Sequence, residues 1–333
     1  MTCWAGVVAV ALLTAPPALA EEPSAFAQAL AAYQDRRLDE ALRYARDAVH
    51  RGPDHVEARL LLGELYYLRQ DLTSAQEQWE RALRLAPSRQ DVRERLEQLQ
   101  REARVEQALT RSDTYPFVVR FAEGETPLDL GGLRGLLRET YRLVGQQFQY
   151  FPDHPIPVIL YPQAAFEQVR GVSHQVAGLY DGKIRLPVQP GRRTGRELQR
   201  VLWHEYTHAV VHDLAKGRCP LWLNEGIATL QEARVQPPDL TPVREALRAG
   251  GVLPWTQLWG EQQYEVAALP LRYGQAYLIA RYLVKLRGWT QLVSLLTRLG
   301  QETPLEEALR VAYQTDPGRL EAEWLAWVKR ELR

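Results

Sequence analysis

His204-Glu205-Tyr206-Thr207-His208 is the segment of this 333-residue chain whose residue types and spacing could do chemistry. The apolar spacing over about 195–215 predicts a helix around it. Histidines four apart then stand one turn apart on a single face, so both imidazoles can reach one cation. Glu205, one position on from His204, can be aimed at a water on that cation. A third donor, with 16 residues between it and His208, follows in Trp222-Leu223-Asn224-Glu225-Gly226. A turn through Gly217 and Pro220 can fold this second helix back on the first and set the Glu225 carboxylate beside the imidazoles. Two imidazoles, one carboxylate and an open fourth position are the donor set of a hydrolytic zinc site.

Other histidines fit that site less well. His212 extends the series by four, but lies about 6 Å further along the helix axis, out of reach of a metal held by the first pair. It reads as an interior or supporting histidine. His50 and His55 fall in a repeat turn and read as solvated. His154 sits in a Pro-rich loop with no evident partner, and His174 precedes a hairpin that could border the cleft. The segment 222–226 also contains Asn224, the chain's single asparagine.

The elements that must position these residues follow from the periodicity. Residues 22–89 repeat every 34 positions: Tyr33 with Tyr67, Leu38 with Leu72, Ala41 with Ala75, Ala48 with Ala82 and Pro53 with Pro87. That period and pattern resemble the tetratricopeptide repeat, a helix–turn–helix unit. Two copies rarely bury enough surface alone, and an Arg- and Glu-rich helix over about 89–110 is expected to cap them. The resemblance implies either a groove for a partner protein or peptide, or a structural spacer.

From residue 115 the texture changes. Strands are expected at 116–122 and 156–161, helices at 133–150 and 163–170. Asp181-Gly182 between alternating residues predicts a hairpin over 178–188, and Pro187 marks its second strand as an edge. That strand, 183–188, is expected to be exposed and able to pair with an extended substrate. After residue 194 the pattern is helical: 195–215, 222–235, 241–249, 270–287 and shorter stretches to the end. Strands followed by helices indicate an α+β domain. The division is therefore 1–20, 22–110 for the repeats with their cap, and 115–333 for the domain that carries the chemistry.

Composition narrows the partners. Lys+Arg and Asp+Glu both number 41, which argues against nucleic acid as a partner. The apolar run over 3–14, followed by Pro16-Pro17 and Ala18-Leu19-Ala20, reads as a cleaved export signal. The expectation is a periplasmic or extracellular protein with no membrane span in the mature chain, or one anchored by its N-terminus if the signal is retained. Cleavage leaves one cysteine, Cys219, which reads as a small buried hydrophobe rather than a nucleophile.

The His-Glu-x-x-His and Trp-Leu-Asn-Glu-Gly segments resemble the gluzincin metallopeptidases. They look most like their aminopeptidase branch and the bacterial peptidase MA family, some of which carry tetratricopeptide repeats. The resemblance implies a zincin-like fold, with a small mixed sheet and a helical lobe. It makes Zn²⁺ the cofactor, His204, His208 and Glu225 its ligands, Glu205 the general base, and peptides or proteins the substrate. Tyr273, in Arg272-Tyr273-Gly274-Gln275-Ala276-Tyr277, matches a tyrosine that faces the oxyanion, with Tyr277 the alternative one turn on. The sequence departs from the pattern at Thr229, where some gluzincins have an Asp that orients a histidine. It also lacks the Gly-x-Met-Glu-Asn strand, and Val176-Ala177-Gly178-Leu179-Tyr180 offers no acid for a substrate amine. The expected function is an exported zinc peptidase. The alternatives are a non-catalytic scaffold or binding module, and a metal amidase acting on cell-wall peptides.

Overall fold

The computed structural model describes residues 24–124, 129–170, 179–188, 195–258 and 268–333. The expected signal over 1–20, His174 and the 176–178 part of the segment 176–180, including the first residue of the expected hairpin, lie outside them.

Four helices form two repeats: α1 (Ala25–Gln34), α2 (Leu38–Arg51), α3 (Val56–Leu68) and α4 (Leu72–Leu85). Helix α5 (Gln90–Glu106) follows and packs on α4. Ala29, Ala32, Ala41, Ala45, Ala75 and Ala82 are fully buried, and their short side chains let paired helices close up. Gly63 does the same for the second copy: a Cβ there would run into the Trp79 indole. Arg36 and Gln70, equivalent positions in the two copies, both turn the chain with positive φ (61° and 62°).

The repeats are followed by a five-stranded sheet in the order β1-β2-β3-β5-β4. β2 (Phe117–Phe121), β3 (Ile156–Pro162) and β5 (Ile184–Val188) are parallel, while β1 (Thr110–Thr114) and β4 (Leu179–Tyr180) run antiparallel at the edges. Helices α6 (Leu130–Phe148) and α7 (Gln163–Arg170) fall between the parallel strands. One sheet face, with Phe117, Val119, Val158, Leu160, Ile184, Leu186 and Val188, enters the main core. The opposite face places Ile159 and Tyr161 with Phe166 and Val169 of α7, packed against Val105 and Leu109 from the end of the repeat segment. The sheet is thus covered on both sides, as parallel strands require.

Two expectations are corrected here. β5 is not the edge strand, because β4 flanks it at Ile184 and Arg185; over Leu186–Val188, where Pro187 falls, its neighbour among the described residues is β3 alone. Nor is it exposed: all five of its residues are buried, and Lys183 and Arg185 are 0% and 1% exposed. β1 was not anticipated, since Thr-Arg-Ser-Asp-Thr lacks apolar alternation.

The rest is helical: α8 (Gly195–Ala215), α9 (Leu221–Glu232), α10 (Thr241–Arg248), a 3-10 turn at Trp255–Gln257, α11 (Leu269–Gly300), α12 (Leu305–Tyr313) and α13 (Pro317–Glu331). α11 breaks at Gly288 (φ 77°, ψ 177°). Buried residues lie nearly all around α8, from Val201 and Leu202 to Tyr206, Val210 and Val211, which marks it as a central helix. No helix of the described residues is long and apolar enough to cross a membrane.

Candidate metal centre

α8 ends in a reversal that aims α9 back along it. Lys216 and Gly217 take positive φ (48° and 75°), and Gly217 N–H donates to the His212 carbonyl at 3.0 Å. Pro220 then starts α9, its carbonyl accepting from the Leu223 and Asn224 amides at 3.0 Å each. The result is two facing stripes. Arg200, His204 and His208 are spaced by four on α8, and Asn224, Glu225 and Glu232 lie opposite them on α9.

Three donors converge between the stripes. Nε2 of His204 lies 3.5 Å and Nε2 of His208 3.7 Å from Oε2 of Glu225. The imidazole planes are nearly perpendicular, at 81°, with centroids 4.8 Å apart. One ligand atom from each of the three residues can be chosen so that all lie within 4.8 Å of one another, a spacing that could hold a metal ion. Their side chains keep 16%, 10% and 14% exposure, so the cluster is walled by protein yet reachable from solvent.

The outer nitrogens of both rings are engaged. His204 Nδ1 lies 2.8 Å from Glu232 Oε2, and His208 Nδ1 lies 2.9 Å from Asn224 Oδ1. Both partners are acceptors, so each Nδ1 carries the proton and each Nε2 keeps its lone pair for the space beside Glu225. Arg200 holds the other Glu232 oxygen. This donor set and its tautomers fit a divalent cation such as zinc.

The two histidines differ in their electrostatics. Burial depresses both, but for His204 the Glu225 and Glu205 carboxylates outweigh it and raise the pKa. For His208 burial wins over the attraction of Glu225, and the pKa falls. Burial would raise Glu225, yet the adjoining imidazoles hold it below the usual carboxylate range. Glu205 is 5% exposed and close enough to act on His204.

Residues 195–330 match the family model of the Peptidase MA superfamily, and residues 26–91 match a tetratricopeptide repeat model. The C-terminal part of the chain is thus similar to the Peptidase MA superfamily and the N-terminal part to tetratricopeptide repeats. No curated protein matches the chain. Within the matched segment 195–330 the structure brings together His204, His208 and Glu225, with Glu205 adjacent to His204 in the chain. Gly226 explains how the next helix approaches: a Cβ there would meet the Ala276 carbonyl, so α9 and α11 touch backbone to backbone beside Glu225. Tyr273, 37% exposed, lies on the first turns of α11 and Tyr277, buried in the main core, one turn on. They flank Ala276, the point of that contact.

Sequence reasoning missed the partners of the ligands. Thr229 is buried and is not what orients a ligand histidine; Glu232, two turns from Glu225 on the same face, does so. The seven-residue spacing from Glu225 and the four-residue spacing from Arg200 to His204 were the available signals. His154, read as lacking a partner, is buried with Nε2 2.8 Å from Asp213 Oδ2. His212 stays outside the donor cluster, with its ring against Tyr180. His50 is exposed, and His55 caps α3 by accepting from the Ala58 amide at 3.2 Å. Cys219 packs beside the core, and burial pushes its thiol pKa up, away from thiolate chemistry.

Proposed function

We propose that this protein is an exported zinc-dependent peptidase that hydrolyses peptide bonds. The observation that carries the reading is the convergence of the partly exposed donors His204 Nε2, His208 Nε2 and Glu225 Oε2, with buried Glu205 next to His204 in the chain. His204, His208 and Glu225 would hold a zinc ion, which would supply the Lewis acidity that lets water react near neutral pH. Glu205 is the base that takes a proton from the attacking water and later delivers it to the leaving amine. The Tyr273 hydroxyl donates to the oxyanion that forms on the scissile carbonyl. Glu232 and Asn224 hold the rings so that both Nε2 lone pairs keep their aim. Export rests on the apolar run over 3–14 and the small residues at 18–20.

An intact Glu205 favours an enzyme over a scaffold that has lost its chemistry, because a metal site kept only for binding has no use for a base. The test is digestion of casein and of a peptide library by the zinc-loaded chain and by Glu205→Gln. The expected result is cleavage by the wild type, and zinc retained with turnover abolished in the variant. Cleavage of cell-wall peptides alone would favour the amidase, and equal activity in both proteins would remove Glu205 from the mechanism.

A further inference from the structure

Two buried ionic clusters tie the repeats to the scaffold of the metal centre, and the chemistry above uses neither. The first sits near the end of α8. Asp213 is five residues beyond His208, and its carboxylate accepts from Arg36 Nε at 2.8 Å, faces His154 Nε2 at 2.8 Å and accepts from the Tyr150 hydroxyl at 3.3 Å. Arg36 belongs to the turn between α1 and α2, and its neighbour Asp35 pairs with Lys216, also at the end of α8.

The second cluster lies on β5. Arg185 donates to Glu102 at 2.8 Å and to the Tyr67 hydroxyl at 2.6 Å, and Lys183 Nζ sits 3.2 Å from Glu102 and 3.2 Å from the centre of the Tyr67 ring. The Gln70 amide nitrogen faces Glu106 at 3.0 Å and its oxygen accepts from Lys183 at 2.8 Å. Tyr161 of β3 donates to Glu106. Lys183, Arg185, Glu102 and Glu106 are all buried, two cations against two anions. The internal repeat makes the pattern regular. Arg36 and Gln70 are equivalent positions 34 apart, as are Tyr33 and Tyr67, and Arg36, Gln70 and Tyr67 all point their polar ends at the body of the chain.

We infer that the inner face of the repeats is an intramolecular receptor occupied by the chain's own β4–β5 hairpin, and that Arg36 is a positioning residue for the His-Glu-x-x-His helix. A surface built for an exchangeable peptide keeps its polar groups hydrated between partners. This one is filled by charges that are desolvated and paired, so an outside ligand would have to strip two buried cations of their partners. The hold reaches α8 by two routes. Arg36 grips Asp213 directly, and β5 packs Ile184, Leu186 and Val188 into the same core as α8. A helix is stiff over five residues, about 7.5 Å, so a shift at Asp213 is felt at His208. The part concerning α8 rests on the metal-site reading; the part concerning the hairpin does not.

The test is hydrogen exchange of the full chain, with cobalt(II) as a metal probe in competition with a chelator. Arg36→Gln should speed amide exchange over 209–215 by about tenfold or more, and Glu102→Gln should do so over 184–188. Arg36→Gln should also weaken cobalt binding by about tenfold, with Arg36→Lys restoring most of it and the exposed control Arg43→Gln changing nothing. Unchanged exchange at both segments in both variants would overturn the inference. If a variant fails to fold, the wild type in low urea decides: α1–α5, β5 and the end of α8 should open as one unit. Opening of the repeats alone, with β5 still protected, would overturn it. Exchange is read without assuming a metal, so a wild type that binds no cobalt refutes the peptidase reading while exchange still judges the clamp.

Discussion

Glu232→Ala tests the least expected part of the centre, the carboxylate that holds His204. The substitution removes an acceptor 2.8 Å from Nδ1 and frees the ring to turn its Nε2 away from Glu225. A hydrogen bond to a charged acceptor contributes about 1.5–3 kcal/mol, and losing such a partner of a metal ligand typically weakens affinity 10–100-fold, or about 1.4–2.7 kcal/mol. The same substitution leaves Arg200 without its partner, but that side chain is 26% exposed and can rehydrate. The cost to the apo fold should therefore be about 1 kcal/mol or less. Zinc affinity and folding stability should separate. Chelator competition should show at least a tenfold weaker Kd, and thermal melting of the apo protein only a small shift. Glu232→Gln keeps an oxygen for Nδ1 but turns an amide group towards Arg200, and should fall between the two. A Glu232→Ala protein that holds zinc within twofold of wild type would refute the role of this carboxylate.

Three further outcomes follow from the same geometry. Gly226→Ala should destabilise the protein by about 1–3 kcal/mol despite alanine's better helix propensity, because the new methyl meets the Ala276 backbone, which cannot rotate aside; an unchanged Tm would contradict this. Glu102, held near a pKa of about 2 against burial by Arg185 and Lys183, has a folded pKa below its unfolded value of about 4.5. Its contribution of about 3 kcal/mol is complete above pH 5 and is lost as the pH falls towards 2. Urea midpoints at pH 6 and pH 3 should therefore fall more steeply for wild type than for Glu102→Gln, and equal slopes would exclude the ion network as the cause. Tyr273→Phe should lower turnover about 10²–10³-fold with zinc retained; if only Tyr277→Phe does so, the buried tyrosine is the oxyanion donor.

The parts of the fold that were legible in the sequence are those where one local signal decides. The 34-residue period gave the repeats, Gly217 with Pro220 gave the α8–α9 reversal, and Asp181-Gly182 gave the hairpin. The donor cluster was legible because one helix carries both histidines and the next carries Glu225. What escaped depends on what lies across a face. Lys183-Ile184-Arg185-Leu186 alternates like a half-solvated strand, but its charged side is covered by Tyr67 and Glu102 from the repeats, so the strand is buried on both sides. Alternation records which residues differ in polarity, not whether water or an opposite charge satisfies the polar ones. His154 illustrates the same point: its partner, Asp213, is 59 residues away. β1 was invisible because Thr110–Thr114 contributes backbone pairing to β2 with few apolar side chains.

X-ray absorption at the zinc edge on the metal-loaded full chain tests the central claim most directly. One zinc per chain should appear, with two imidazole nitrogens at about 2.0–2.1 Å, oxygen ligands at about 2.0–2.2 Å and no sulfur. Loss of one imidazole in His204→Ala and of the carboxylate oxygen in Glu225→Ala should follow. No stoichiometric zinc, or a shell unchanged by either substitution, would contradict a metal held between α8 and α9.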